Sequence, residues 1–194
     1  FKEVLNLIKQ KKPVEAKKIC LELLKVDQNN AEAYNIYAFT LFHLKEYESS
    51  INNWEKAIKI KPNHFHAINN LGNAFLKLKK YNEALSSYEQ AIKVNPNYFE
   101  AYNNRGHAFF GLNKLSDAIE SYNQAIKIKS DYFEAYNARA LIFQKLQRFD
   151  EAIESWENVI KINPNFISWS YFFIKFAAKY QTIAQEQISK LMKG

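Results

Sequence analysis

His64 and His66 have the residue types and spacing that first invite a chemical reading of this chain. Two imidazoles one residue apart can share a zinc ion, but zinc takes four ligands and no third one accompanies the pair. The two histidines also straddle a boundary between similar segments, so they read as structural and no metal is expected. Cys20 is the single cysteine. A reactive thiolate needs a nearby histidine or cation, and the local sequence supplies none, so Cys20 reads as a small core residue. One cysteine excludes an intrachain disulfide framework and fits a reducing compartment, and the expected location is cytoplasmic. Glu32, Glu100 and Glu134 keep step with a recurring sequence period, which marks them as parts of a repeating surface rather than a catalytic pair. Gly72 and Gly106 stand alone inside helical patterns, so they form no phosphate-cradling loop, and there is no serine elbow. The sequence carries no catalytic residues, calls for no cofactor and does not read as an enzyme.

The elements that position these residues repeat. The stretch from Phe65 to Tyr98 reappears from Phe99 as FEAYNNRGHAFFGLNKLSDAIESYNQAIKIKSDY, again from Phe133, and once earlier from Ala31. Each copy begins with a helical stripe of apolar or small residues at i, i+3, i+4 and i+7: Tyr34/Tyr37/Ala38/Leu41, Ile68/Leu71/Gly72/Phe75, Tyr102/Arg105/Gly106/Phe109 and Tyr136/Arg139/Ala140/Phe143. A second stripe follows at i, i+4 and i+7: Ser50/Trp54/Ala57, Ala84/Tyr88/Ala91, Ala118/Tyr122/Ala125 and Ala152/Trp156/Val159. Small residues facing large ones let paired helices approach closely. Asn82, Ser116 and Asp150 are expected to cap the second helices, with Glu83, Asp117 and Glu151 in the positive first turns. Pro62, Pro96 and Pro164 stop those helices, with Ser130 in the proline's place in the third copy. Asn63, Asn97, Asp131 and Asn165 are expected to cap the helices that follow. Residues 1–30 read as a partial first copy with Pro13 in its turn, followed by repeats at 31–64, 65–98, 99–132 and 133–166. The chain opens on Phe1 rather than Met, which reads as a fragment or a processed form.

This pattern resembles the tetratricopeptide repeat family, closely over 31–166 and loosely over 4–30. Numbering each copy from Ala31, Phe65, Phe99 and Phe133, the family's small and large residues recur at positions 4, 7, 8, 11, 20, 24, 27 and 32. The departures are Arg105, Arg139, Ser50 and Ser130. An arginine at the seventh position is expected to pack its stem and send its head to water. The resemblance implies an all-α, right-handed superhelical solenoid of antiparallel helix pairs, a single domain whose concave groove is lined by the first helices. In such a groove the inward positions would be filled by Asn35, Phe39 and Phe42, then His66, Asn69, Asn70, Asn73 and Lys77, then Asn103, Asn104, His107 and Phe110, and then Asn137. Amides both donate and accept, so a column of them can pair with a peptide backbone whatever its sequence. The sixth-position asparagines resemble those of the repeat domains of O-linked N-acetylglucosamine transferases, with Ile36 and Ala138 breaking the run. The carboxylate clamp of chaperone-binding repeat domains is not matched, because Asn35, Glu100 and Asn104 occupy its basic positions.

The net charge of +7 does not by itself point to nucleic acid. Lys59, Lys93, Lys127 and Lys161 recur where a helix C-terminus favours cations, and no aromatic-basic groove accompanies them. Residues 167–194 keep a helical pattern in Trp169, Phe172, Phe173 and Phe176 but lose the second-helix signature; they read as a capping helix or pair. A homodimer contact there is the alternative, and the segment is too short and polar to span a membrane. The expected function is capture of a protein or peptide partner, with no small-molecule substrate. The alternatives are the recruiting arm of a larger enzyme, such as a glycosyltransferase, and a self-assembling scaffold.

Overall fold

The computed structural model describes residues 2–166, together with Lys175, Lys179 and Thr182 beyond them. The expectations placed on 167–194, a cap or a dimer contact, lie outside the described residues. The described part is all-α, and the chain divides into two compact units, Phe1–Lys114 and Leu115–Gly194.

The first unit holds α1 (Lys2–Lys9), α2 (Pro13–Val26), α3 (Ala31–His43), α4 (Tyr47–Ile60), α5 (Phe65–Lys77), α6 (Tyr81–Val94) and α7 (Phe99–Gly111). The second holds α8 (Leu115–Ile128), α9 (Phe133–Lys145), α10 (Phe149–Ile162) and a 3-10 turn, Pro164–Phe166. Pro13 is the first residue of α2 rather than part of the turn, a place where its missing N–H is not needed. Among the described residues no helix is long and apolar enough to cross a membrane.

Alternation of small and large side chains builds the core. In the second helices Ser50, Trp54 and Ala57, then Ala84, Tyr88 and Ala91, are all buried, as are Ala118, Tyr122 and Ala125 in α8 and Ala152, Trp156 and Val159 in α10. Trp54 packs with Ala38, Ile51, Ala57, Ala67 and Ala74, which joins α3, α4 and α5. Tyr88 packs with Ala84, Leu85 and Ala108, which joins α6 to α7. Cys20 shares a smaller core with Val4, Ala16 and Ile36; burial pushes its thiol pKa up, so it remains a protonated apolar residue. Two buried rows escape the sequence stripe. Ala33, Ala67, Ala101 and Ala135 at the third position, and Thr40, Ala74, Ala108 and Ile142 at the tenth, are all buried.

The turns from first to second helix share one backbone device. Lys11, Lys45, Lys79, Asn113 and Gln147 hold the same place in successive copies, and all adopt positive φ between 57° and 63°. Around Lys79, the Lys79 N–H donates to the Leu76 carbonyl at 3.0 Å and the Lys80 N–H to the Phe75 carbonyl at 2.9 Å. This pair of bonds is a Schellman motif, and the other four turns repeat it. A non-glycine residue in this conformation costs about 1 kcal/mol, offset here by two satisfied helix-end carbonyls.

The expected caps are corrected. Asn82, Ser116 and Asp150 lie one residue inside their helices, and the cap positions before α6 and α10 are Lys80 and Arg148, without side-chain cap bonds. Asn63, Asn97 and Asp131 fall one residue too early, since His64, Tyr98 and Tyr132 hold the cap positions of α5, α7 and α9. Asn165 sits in the 3-10 turn. The Asn30 amide does cap α3, accepting from the Ala33 N–H at 2.9 Å. The acidic first turns hold, with Glu83, Asp117 and Glu151 at the helix starts.

Arg139 corrects the reading of the seventh position. Its guanidinium lies over Tyr136 and Phe143, donates to Ser155 Oγ at 3.1 Å and reaches Asn123 Oδ1 at 2.7 Å. It therefore ties α9 to α8 and α10 inside the second unit and does not send its charge to solvent. Burial lowers its pKa, though nearby Tyr136, Glu154 and Glu151 favour the cation.

Candidate functional site

In the first unit α3 packs against α5 and α5 against α7, so the first helices form a continuous face. The side chains on that face fall into three groups.

The fifth-position asparagines are buried: Asn35 is 9% exposed, Asn69 3% and Asn103 4%. Asn35 Oδ1 accepts from the Trp54 indole N–H at 3.1 Å, and its amide N donates to Glu32 Oε1 at 3.3 Å. Asn69 Oδ1 accepts from Asn104 Nδ2 at 3.1 Å, a bond from α7 to α5. The amides of Asn35 and Asn69 serve the packing of the face. The signal for this lay in Trp54: a buried indole N–H favours a nearby acceptor, and Asn35 on the partner helix supplies one.

The sixth and ninth positions are more open. Asn70, Asn73 and Asn104 are half-buried. The Tyr88 hydroxyl donates to Asn73 Oδ1 at 2.8 Å, and Asn73 Nδ2 lies 3.5 Å from Asn70 Oδ1. Burial holds the Tyr88 phenol far above its ordinary pKa, so it remains a donor. Each of the three amides keeps donor or acceptor capacity beyond these bonds. His107 and Lys77 are exposed beside them. Crowding of its ring, and then the Lys77 ammonium, lower the His107 pKa and favour neutral imidazole.

The remaining residues set the two ends. Phe39 and Phe42 are half-buried and gather around His43, with ring centroids at 4.6 and 6.2 Å, and Phe42 also meets Trp54 at 5.9 Å. Phe110 is an exposed aromatic, 43% accessible. At the other end His64 is buried and bonded to Glu32 Oε2 at 2.9 Å, whereas His66 is exposed with Nδ1 3.2 Å from the Tyr98 hydroxyl. Desolvation and the neighbouring His64 lower the His66 pKa, against the opposing pull of Glu100 and Glu32. The two imidazoles thus serve different partners, and among the described residues no group of three or more His, Cys, Asp or Glu side chains could hold a metal ion. In the second unit Asn137 is half-buried on α9. The arrangement offers amides and aromatics, which suits recognition by hydrogen bonds and apolar anchors.

Comparison with known proteins bears on the family and the fold. The family model described as TPR repeat matches residues 40–79, 72–113 and 106–147, and the one described as tetratricopeptide repeat matches 133–166. No curated protein matches. Among solved structures, TTC0263, a thermophilic TPR protein of Thermus thermophilus, is 20% identical with a TM-score of 0.76, covering 90% of this chain and 95% of its own. MamA from Desulfovibrio magneticus RS-1 is 22% identical with a TM-score of 0.73, covering 84% and 93%. The first TPR of Spaghetti (RPAP3), solved bound to the HSP90 peptide SRMEEVD, is 25% identical with a TM-score of 0.57, covering 61% and 93%. The fold is that of a TPR-like solenoid.

Proposed function

This chain belongs to the tetratricopeptide repeat family, and from that membership we propose a non-catalytic module that holds a peptide segment of a protein partner against its first-helix face. The observation that carries the reading is the cluster Asn70, Asn73 and Asn104. These are half-buried amides on adjacent helices whose internal bonds leave hydrogen-bonding capacity unspent. A peptide backbone offers alternating donors and acceptors that such amides can meet. Phe110 at the face, and Phe39 and Phe42 at one end, supply apolar anchors. The RPAP3 domain, solved with a peptide bound, supports the same use of the fold here. The asparagines are also similar to those of glycosyltransferase repeat arms, but the reading of a recruiting arm has no observation of its own in the structure.

Capture of a partner from native lysate tests the proposal when wild type is compared with the double variant Asn70→Ala/Asn104→Ala. Asn73 is left in place because its carbonyl holds the Tyr88 hydroxyl, and thermal melting of the variant measures the cost of taking the Asn104 donor from Asn69. The double variant is expected to stay folded and to bind the captured partner roughly 10- to 100-fold more weakly, as befits two lost hydrogen bonds. Equal affinity in a folded double variant would move recognition away from these amides.

A further inference from the structure

The column of buried amides is completed twice in the first unit and broken once. Asn35 Oδ1 takes the Trp54 indole N–H, and Asn69 Oδ1 takes the Asn104 amide. Asn103, only 4% exposed, has no partner for its Oδ1. One helical turn before Asn103, Glu100 Oε2 is likewise shielded and without a partner. Side chains at these two positions share one helix face, as the 3.3 Å bond between Asn35 and Glu32 demonstrates in the first full copy. Two shielded acceptors on α7, one of them a carboxylate oxygen, are therefore without a donor one helical turn apart.

The surroundings decide which donor fits. The Glu32 and Glu100 carboxylates both act on His66, which lies exposed with Nδ1 turned to Tyr98. His64 occupies one Glu32 oxygen at 2.9 Å, while the Glu32 side chain keeps 47% of its surface in solvent. A neutral donor would satisfy the acceptors and leave the carboxylate charge uncompensated; a cation does both. A half-buried glutamate carboxylate turns easily about its last torsion, so Glu100 can present the shielded oxygen to a ligand. A planar guanidinium can then meet a carboxylate and an adjacent carbonyl oxygen together, which an ammonium point charge does less well.

We propose that Glu32, His66, Glu100 and Asn103 form a subsite for an arginine side chain of the bound peptide, a deepening that rests on the peptide-binding reading above. On a chain of net charge +7 this local acidic site would select against acidic segments passing the same end.

The test uses a probe small enough to report the subsite alone. Nα-acetyl-arginine methylamide is titrated into the isotope-labelled chain, with its glutamine counterpart as the neutral control, and backbone amide and histidine ring signals are followed by NMR. The expected result is saturable shifts at His66 and at residues 100–104, at least about tenfold tighter for the arginine compound, since a charged donor outweighs a neutral one by about that factor. Glu100→Gln should abolish the preference while leaving the rest of the spectrum in place. Equal responses to the two compounds, or an arginine preference that survives in Glu100→Gln, would overturn the subsite. The groove reading fails separately: partner capture that survives Asn70→Ala/Asn104→Ala, with the arginine response intact, removes the amide ladder and leaves the subsite standing.

Discussion

Gly72→Leu is expected to cost about 3 kcal/mol of stability, the upper range for overpacking a filled core. A Cβ at position 72 would lie 2.6 Å from Tyr88 Cε1 and 2.9 Å from Cδ1. The Tyr88 ring cannot simply swing aside. It is fully buried among Ala84, Leu85 and Ala108, and its hydroxyl is fixed to Asn73 at 2.8 Å. Relief therefore requires α5 and α6 to separate, which opens gaps around the same ring, or the loss of the hydroxyl bond. Gly72→Ala should already cost roughly 1 kcal/mol, because a single methyl group meets the same ring. Urea unfolding of the two variants gives both values. A Leu variant that unfolds with the wild-type midpoint would show that Tyr88 does not wedge between the two helices.

Trp54→Ala is expected to cost about 4 kcal/mol, as large aromatic truncations in cores do. Trp54 is 1% exposed and joins α3, α4 and α5, so its removal leaves a cavity beside four alanines whose methyl groups are too short to fill it. Trp54→Phe separates the two parts of this loss. It keeps most of the volume but takes away the donor to Asn35 Oδ1, and an unpaired buried acceptor should cost about 2 kcal/mol. A phenylalanine variant as stable as wild type would show that Asn35 finds another donor, and its place as a packing amide would be lost.

The repeat was plain in the sequence, because a fixed period is a property of the residue order and needs no contact to reveal it. The depth of individual residues was less so. Ala33 and Ala67 lie outside the i, i+3, i+4, i+7 stripe yet are buried, because a first helix is covered on two sides, by its own partner and by the neighbouring repeat. A single-stripe pattern describes a helix covered on one side only. The left-handed turn residues were hidden for another reason. Lys45 and Lys79 carry no glycine signature, and the device shows only in backbone angles. The caps were misplaced by one or two residues because these helix starts are set by the chain entering from the preceding turn, with no side-chain bond to mark those of α5, α6 and α10.

At the candidate site the sequence found the asparagines and could not rank them. Asn35 and Asn70 differ by one position in their repeats, yet one is spent on Trp54 and the other is half open. That difference depends on which helix lies opposite, and only packing fixes it. Arg139 illustrates the same limit, since its partners Asn123 and Ser155 come from two other helices of its unit.

Recognition on the first helices is the central claim, and amide hydrogen exchange of the chain with and without its captured partner tests it most directly. Slowed exchange confined to α5 and α7, strongest across 69–73 and 103–107, is the predicted result. Protection confined to α4 and α6, with α5 and α7 unchanged, would contradict it and place recognition on the second helices.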